Sequence, residues 1–213
     1  MNNPPKTADA LMRVGPVIPV LTIDRLEDAA PLAKALVAGG LRVLEVTLRT
    51  AVAIDAIKAM IDAAPDAIVG AGTVLNPADY ERAAAAGAVF IVSPGLTEPL
   101  LSAARGYDLP LLAGVSSASD VMRGLDAGLT RFKFFPAETV GGPPAIKALG
   151  GPFADVRFCP TGGVTAQNAR TYLSLPNVLC VGGAWVAPAE AIRAQDWSAV
   201  TGLAKAAADL VND

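Results

Sequence analysis

Eight short apolar runs with the composition of β-strands recur along this chain, separated by alanine- and leucine-rich segments with helical spacing. Strands that alternate with helices across short loops form βαβ units, in which the strands run parallel. Eight such units close naturally into a (β/α)8 TIM barrel. The alternative is an open, doubly wound sheet, but the count of eight without a dividing linker favours the barrel. The predicted strands are Val17–Leu21, Val43–Leu48, Ile68–Thr73, Phe90–Ser93, Leu111–Val115, Phe132–Phe135, Arg157–Thr161 and Val178–Gly182.

The chain is expected to form one barrel domain over residues 1–213, because 53% of its residues are hydrophobic and no linker interrupts the pattern. A short extra helix, Ala8–Met12, is predicted to precede the first strand. Asp24 is predicted to be the N-cap of a helix over Arg25–Val37.

Charge and hydropathy argue against several classes of partner. The formal net charge is -3 and lysine and arginine do not cluster, so neither nucleic acid nor an anionic membrane is an expected partner. No apolar run approaches the roughly 18 residues that a membrane-spanning helix needs. The sequence begins MNNPPKT, which has no signal-peptide pattern, and a cytoplasmic location is therefore expected.

The chain contains no histidine, which limits the chemistry open to it. Ser–His and Cys–His nucleophile pairs are excluded, and so are the imidazole-rich sites that usually hold catalytic zinc. Cys159 and Cys180 each lie in an apolar run without a second metal ligand nearby, so we expect buried free thiols and no metal site. Acid–base catalysis must then fall to carboxylates, lysine, tyrosine or water.

One lysine, Lys133, lies inside the sixth apolar run, which reads RFKFFPAE over residues 131–138. Side chains alternate between the two faces of a strand, so Lys133 and Phe135 share one face, opposite Phe132 and Phe134. Loss of water around a buried lysine disfavours its charged form and makes it a candidate nucleophile. The alternative is a lysine at a strand end whose stem is packed while its ammonium group reaches water.

Three polar residues alternate along the second predicted strand: Glu45, Thr47 and Arg49. They share one face of the strand, which packing alone explains poorly. Because active sites of TIM barrels lie at the carboxyl ends of the strands, these side chains are candidates for the site. A buried Glu–Arg ion pair that holds the barrel together is the structural alternative.

Glycine pairs follow the last two predicted strands, Gly162-Gly163 after the seventh and Gly182-Gly183 at the end of the eighth. Many barrels bind phosphate in these two loops through backbone N–H groups, and glycine lets the backbone approach the anion closely. Turns also use such pairs freely, but their occurrence at two consecutive strand ends favours phosphate binding.

Five segments together resemble the signature segments of the 2-dehydro-3-deoxy-phosphogluconate (KDPG) aldolases, many of which also cleave 4-hydroxy-2-oxoglutarate. The match covers essentially the whole chain in order and spacing. It implies a class I aldolase on a (β/α)8 barrel that needs no metal or other cofactor, acts on a 2-oxo-3-deoxy sugar acid phosphate and is usually a homotrimer. The segments are Glu45–Arg49, Gly70–Thr73, Ser93–Gly95, Phe132–Glu138 and Phe158–Gly163.

The resemblance also implies roles for individual residues. Lys133 would form the Schiff base with the substrate, and Glu45 would be the general acid and base. The remaining residues would bind substrate: Arg49 and Thr73 its carboxylate, Pro94 and Phe135 its pyruvyl part, and Thr161, Gly162, Gly163, Gly182, Gly183 and Ala184 its distal phosphate side.

This chain departs from the family pattern at two places. After the eighth strand it has Gly182-Gly183-Ala184 where the family commonly has Gly-Gly-Ser, which removes a hydroxyl expected to bind the phosphate. After the fifth strand it has Ala113-Gly114-Val115 where a proline often precedes the glycine.

Three related functions remain open from the sequence. The galactonate-derived epimer of the substrate is one alternative. A barrel isomerase or epimerase could use Glu45 as base and Lys133 as an electrostatic stabiliser without a covalent bond. A non-catalytic sugar-phosphate-binding protein could use the same glycine loops, with the two charged side chains merely paired.

Overall fold

The computed structural model describes residues 4–211, which form a ring of eight parallel strands surrounded by helices. Each strand lies beside its neighbours in sequence, and β1 pairs with β8. Two isolated bridges, Phe158 with Val178 and Thr161 with Gly182, close the ring between β7 and β8. The predicted (β/α)8 barrel is confirmed and the open sheet is wrong; residues 1–3 and 212–213 of the predicted domain lie outside the described residues. The strands are β1 (Val17–Leu21), β2 (Val43–Thr47), β3 (Ile68–Gly72), β4 (Ile91–Val92), β5 (Leu111–Val115), β6 (Arg131–Phe134), β7 (Arg157–Pro160) and β8 (Val181–Gly183).

The predicted helix Ala8–Met12 is confirmed as α1, which lies at the amino-terminal end of the barrel. The other helices lie around the outside of the ring. Among the described residues, no helix is both long and apolar enough to cross a bilayer. Two short 3-10 helices, Leu26–Asp28 and Asp209–Val211, precede α2 and follow α10. The helices are α1 (Ala8–Met12), α2 (Ala29–Ala38), α3 (Ala53–Ala63), α4 (Pro77–Ala85), α5 (Glu98–Ala104), α6 (Ala118–Asp126), α7 (Gly142–Leu149), α8 (Ala169–Leu173), α9 (Ala189–Arg193) and α10 (Trp197–Ala208).

The predicted helix over Arg25–Val37 begins later than expected, at Ala29. Pro31 lacks an N–H group and is tolerated only in the first turn of a helix, so α2 cannot extend back to Arg25. Asp24 is therefore not its N-cap. Arg25 instead donates two hydrogen bonds to the buried carboxylate of Asp28, at 2.8 and 2.9 Å.

The eighth strand is also shifted, covering Val181–Gly183 instead of Val178–Gly182. Phe158 pairs with Val178, and Thr161, three residues after Phe158, pairs with Gly182. Gly182 lies four residues after Val178. One extra residue on the β8 side interrupts the ladder, as in a β-bulge, and leaves residues 179 and 180 outside the strand.

The apolar core has two parts, one on each face of the ring. The larger part lies between the strands and the helices and includes Phe132 and Phe134. The smaller part contains side chains of the barrel interior together with Leu11 and Met12 of α1. The Asp9 carboxylate accepts a hydrogen bond from Arg131 at the start of β6, so α1 is fastened across the amino-terminal end of the barrel.

Candidate active site

Lys133 of β6 and Glu45 of β2 meet inside the barrel, although they are 88 residues apart in sequence. The Lys133 Nζ lies 3.1 Å from the Glu45 Oε1, and the two side chains are only 5% and 3% exposed. Because β2 and β6 lie four strands apart in a ring of eight, they face each other and their inward side chains converge. The alternative of a lysine whose ammonium group reaches water is therefore wrong.

The other predicted partner of Glu45, Arg49, does not reach it. Arg49 follows β2, is exposed, and donates from its Nε to the Thr73 Oγ1 at 3.1 Å. The buried Glu–Arg ion pair is thus wrong, and the carboxylate pairs with the lysine instead. Thr47, the third polar residue of β2, donates to the Leu21 carbonyl at 2.8 Å, so its hydroxyl ties β1 to β2.

Two glycines lie next to this buried pair and allow close packing around it. A Cβ on Gly72 would lie 2.2 Å from the Glu45 Oε1, so the carboxylate occupies the space that any side chain on β3 would need. Gly114 pairs in register with Lys133, and a Cβ there would lie 2.2 Å from the backbone of Pro94. Pro94 can therefore approach the strand next to the lysine.

Replacing Gly72 with alanine is expected to displace Glu45 from Lys133 and to lower kcat. Crowding this interior should also lower the free energy of unfolding by about 1–3 kcal/mol. Gly202→Ala is the matched control, because a Cβ at that position of α10 meets nothing within 4 Å, and alanine in a helix interior stabilises by about 0.5–1 kcal/mol. Steady-state kinetics and denaturant unfolding of both variants measure the two effects. Wild-type kcat in the Gly72→Ala variant would contradict the contact with Glu45.

An aromatic ring borders the lysine on its own strand face. The Lys133 Nζ lies 5.4 Å from the centroid of the half-buried Phe135 ring, within the range of a cation–π contact. Phe135 follows Lys133 by two residues on the same segment, whereas Pro94 packs against Gly114 of the neighbouring strand β5. Phe135 is thus beside the amine, and Pro94 approaches the strand next to it; their roles in a pyruvyl pocket stay predictions.

Arg49 and Thr73 lie together at the carboxyl ends of β2 and β3, as their predicted shared role requires. Thr73 has a φ of 56°, a left-handed conformation that is costly for a β-branched residue and that clusters at functional sites. Its hydroxyl accepts the Nε hydrogen of Arg49, which uses one of the five N–H donors of a guanidinium group. The remaining donors suit a planar carboxylate.

The loop after β7 begins at Thr161, a buried residue that pairs with Gly182 of β8. A Cβ on Gly182 would lie 2.2 Å from the Thr161 Oγ1, so the glycine lets the hydroxyl occupy the gap between the strands. Gly162 and Gly163 have φ values of 96° and 79°, which glycine alone adopts readily. Both glycines therefore serve the conformation of this loop.

Gly183 and Ala184 end the predicted set, next to β1 of the closed ring. Gly183 is buried against the Trp185 ring, while Ala184 is exposed. Ala184 also borders a cavity of about 810 Å³, whose lining includes neither Lys133 nor Glu45. The cavity is bounded by Val20, Thr22, Asp24, Arg25, Asp28, Ala184, Trp185, Ala187, Pro188, Ala189, Glu190, Ile192 and Arg193.

Sequence reasoning missed a group of polar residues beside the glycine loop. The Glu138 Oε1 accepts hydrogen bonds from the Tyr172 hydroxyl and from the Asn168 Nδ2. Glu138 belongs to the segment that carries Lys133, and this position was the available signal. Tyr172 and Asn168 lie in and before α8, where no motif marks them.

The two cysteines are free and buried, as expected. Both belong to the apolar cluster of the barrel interior. A hydrogen bond with Cys159, together with burial, raises the pKa of the Cys180 thiol well above its ordinary value, so Cys180 is a poor nucleophile. Within residues 4–211, no group of three or more histidine, cysteine or acidic side chains could hold a metal ion.

Comparison with known proteins agrees with this geometry. The sequence model of the KDPG and KHG aldolases matches residues 8–203. The chain belongs to this family. The resemblance inferred from the five segments is therefore confirmed.

Similar members of the family cover nearly the whole chain. The KHG/KDPG aldolase of Escherichia coli K12 is 54% identical over 209 residues, which are 98% of each chain. A KDPG aldolase structure from Legionella pneumophila, with pyruvate captured as a covalent carbinolamine, is 52% identical with a TM-score of 0.92 and covers 93% of this chain and 97% of its own. The aldolase of Zymomonas mobilis ZM4 with 3-phosphoglycerate is 54% identical with a TM-score of 0.91, covering 95% of both chains.

Proposed function

We propose that this chain is a class I aldolase that cleaves KDPG to pyruvate and glyceraldehyde 3-phosphate, and that it also cleaves 4-hydroxy-2-oxoglutarate. The observation that carries the proposal is the buried contact of 3.1 Å between the Lys133 amine and the Glu45 carboxylate. An amine that forms an imine and a carboxylate that moves protons are the two groups this reaction requires.

The substrate lies with its carboxylate at the Arg49 guanidinium and the Thr73 hydroxyl. Arg49 is exposed at the barrel mouth and presents a planar fork of donors. Pro94 and Phe135 border the three carbons that become pyruvate. The distal end then extends toward Thr161, the glycine pairs after β7 and β8, and Ala184, where backbone N–H groups bind the phosphate.

Covalent attachment begins with a proton transfer across the Lys133–Glu45 hydrogen bond, which leaves a neutral amine. The Nζ lone pair attacks C2 of the substrate as the carbonyl π bond breaks, and a proton moves from the attacking nitrogen to the former ketone oxygen to give a neutral carbinolamine. Glu45 returns a proton to that hydroxyl, which leaves as water. The product is a protonated imine, an electron sink joined to Lys133.

Cleavage uses Glu45 again as a base. The carboxylate removes the proton of the C4 hydroxyl, directly or through one water. The C3–C4 bond breaks, its electron pair flows into the imine, and an aldehyde leaves. Glu45 then protonates C3 of the enamine, and water hydrolyses the imine to release pyruvate and the free amine. One carboxylate serves both proton transfers because they are separated in time.

Two relatives support parts of this proposal. The Legionella pneumophila aldolase was captured with pyruvate as a covalent carbinolamine, which is the first intermediate of the proposed route. The Zymomonas mobilis aldolase was crystallised with 3-phosphoglycerate, a phosphorylated three-carbon acid.

A substrate panel tests the function. Phosphorylated and unphosphorylated 2-oxo-3-deoxy acids, including the gluconate- and galactonate-derived epimers and 4-hydroxy-2-oxoglutarate, are incubated with the enzyme and pyruvate release is measured by a coupled assay. Fastest release from KDPG is expected. Preference for the galactonate epimer would correct the substrate, and the absence of pyruvate from every acid would favour the isomerase or the sugar-phosphate-binding protein.

A serine at position 184 is expected to strengthen phosphate binding. A hydrogen bond to a charged group is worth about 1.5–3 kcal/mol, although water replaces part of it. Ala184→Ser should therefore lower the KM for KDPG several-fold and leave the KM for 4-hydroxy-2-oxoglutarate, which has no phosphate, almost unchanged.

Steady-state kinetics of the wild type and the variant on both substrates give this comparison. The wild type should already prefer the phosphorylated substrate, because backbone N–H groups provide most of the anion binding. Ala189→Ser is a matched control, since Ala189 borders the same cavity and lies in α9. Equal changes on the two substrates would show that position 184 does not face the phosphate.

Two further properties stay predictions. The homotrimer implied by the family resemblance is tested by light scattering of the purified protein. The cytoplasmic location expected from the sequence is tested by cell fractionation.

A further inference from the structure

We propose that Glu138 is a positioning residue that fixes the phosphate-binding loop after β7 relative to the strand that carries Lys133. The loop comprises residues 161–168 between β7 and α8. This inference rests on the proposed function, because it assigns Glu138 a part in binding the distal phosphate. Glu138 acts through the loop and does not contact the reacting atoms.

The backbone beside Glu138 is joined to this loop directly. The Ala137 N–H donates to the Thr161 carbonyl at 2.8 Å, and the Glu138 N–H donates to the Gly162 carbonyl at 3.0 Å. These bonds continue the pairing of β6 with β7 beyond the ends of the strands. The segment after Lys133 and the segment after β7 therefore leave the barrel together.

The Glu138 side chain extends the same connection further along the loop. Its Oε1 accepts hydrogen bonds from the Tyr172 hydroxyl of α8 and from the Asn168 Nδ2, the latter at 3.3 Å. The same Asn168 Nδ2 donates to the Gly163 carbonyl at 3.0 Å, and the Asn168 Oδ1 accepts from the Thr165 N–H at 2.7 Å. Asn168 thus spans the loop, and Glu138 holds Asn168.

Side-chain packing also holds the loop in place. A Cβ on Gly163 would lie 2.5 Å from the Glu138 Cγ, so the loop backbone rests on the stem of the glutamate. Gly163 also has a positive φ of 79°. Glu138 therefore packs against a residue whose backbone conformation favours glycine.

The Tyr172 hydroxyl remains a donor to this carboxylate over the working pH range. Burial, with a smaller contribution from Glu138, raises the pKa of Tyr172 above its ordinary value. A carboxylate facing a phosphate directly would repel it, whereas the Glu138 Oε1 is already engaged by two donors. The geometry therefore suits a structural acceptor and not a substrate ligand.

The test compares Glu138→Ala with Glu138→Gln on KDPG and on its unphosphorylated counterpart, 2-dehydro-3-deoxygluconate. Alanine removes the acceptor and frees the loop, so the KM for KDPG should rise about tenfold, the effect of losing one hydrogen bond to a charged group. The KM for the unphosphorylated acid and the rate of pyruvate trapping at Lys133 should stay near wild type. Glu81→Ala, which removes an exposed carboxylate from α4, is the matched control.

Glutamine should restore the wild-type KM for KDPG, because its amide oxygen has two lone pairs and can accept from both Tyr172 and Asn168. Tyr172→Phe gives a second measurement that does not touch Glu138 and should raise the KM for KDPG alone, so a poorly folded Glu138→Ala leaves the inference testable. Equal KM changes on both acids, or glutamine behaving as alanine does, would overturn it. If the wild type does not prefer the phosphorylated acid, the phosphate site itself fails; if that preference survives in Glu138→Ala, only the role of Glu138 fails.

Discussion

Sodium borohydride added together with pyruvate is expected to attach one three-carbon unit to Lys133 and to abolish activity. The imine that forms between pyruvate and the Lys133 amine is reduced to a stable secondary amine, which can no longer turn over. Peptide mapping by mass spectrometry of the trapped protein locates the adduct. Chelation of metals with EDTA should leave the rate unchanged, because the proposed steps need only the amine and the carboxylate.

Two variants make this trapping experiment decisive. Lys133→Met should acquire no adduct and show no activity above background, while Lys147→Met, which removes an exposed lysine from α7, should be trapped like the wild type. An adduct on another lysine, or none at all, would rule out the assignment of Lys133.

Glu45→Gln is expected to lower kcat by roughly 10²–10⁴-fold, the usual contribution of a positioned general acid and base. Glutamine keeps the size of the side chain in the space beside Gly72 but cannot accept the C4 proton or return it to C3. Imine formation should persist more slowly, so borohydride trapping with pyruvate still labels Lys133. Single-turnover kinetics with KDPG separate the two steps.

The matched control for Glu45 is Glu98→Gln, which changes an exposed carboxylate in the first turn of α5 and should leave kcat unaltered. This control measures how kcat responds when a carboxylate outside the barrel interior loses its charge. A Glu45→Gln enzyme with near-normal kcat would show that another group, or water alone, moves the proton.

The barrel and the two central residues were accessible from sequence because local patterns specify them. Alternation along β2 and β6 places Glu45 and Lys133 on definite strand faces, and the count of eight strands brings both faces inward. The partner of Glu45 was less accessible. Arg49 is close to Glu45 in sequence, whereas Lys133 is far from it in sequence. Lys133 is nevertheless the residue that contacts Glu45 in space, because β2 and β6 face each other across the ring.

Features that depend on three-dimensional packing were not predictable in the same way. The bulge that shifts β8 appears only when Phe158 and Thr161 are paired with their actual partners. The contacts of Glu138 could not be predicted from its own segment, because its partners Tyr172 and Asn168 lie 34 and 30 residues away. The later start of α2 was in principle readable from Pro31, whose missing N–H sets that boundary.

Among the described residues, α1 lies across the amino-terminal end of the barrel, so the substrate enters from the opposite end, where the strands finish. Leu11 and Met12 of α1 complete the apolar cluster beneath the buried pair, so molecules cannot leave in that direction. Pyruvate stays attached at the inner end, and the aldehyde lies between it and the mouth. Departure is consequently ordered: the aldehyde must diffuse out first, and only then can water enter from the same side to hydrolyse the imine and release pyruvate.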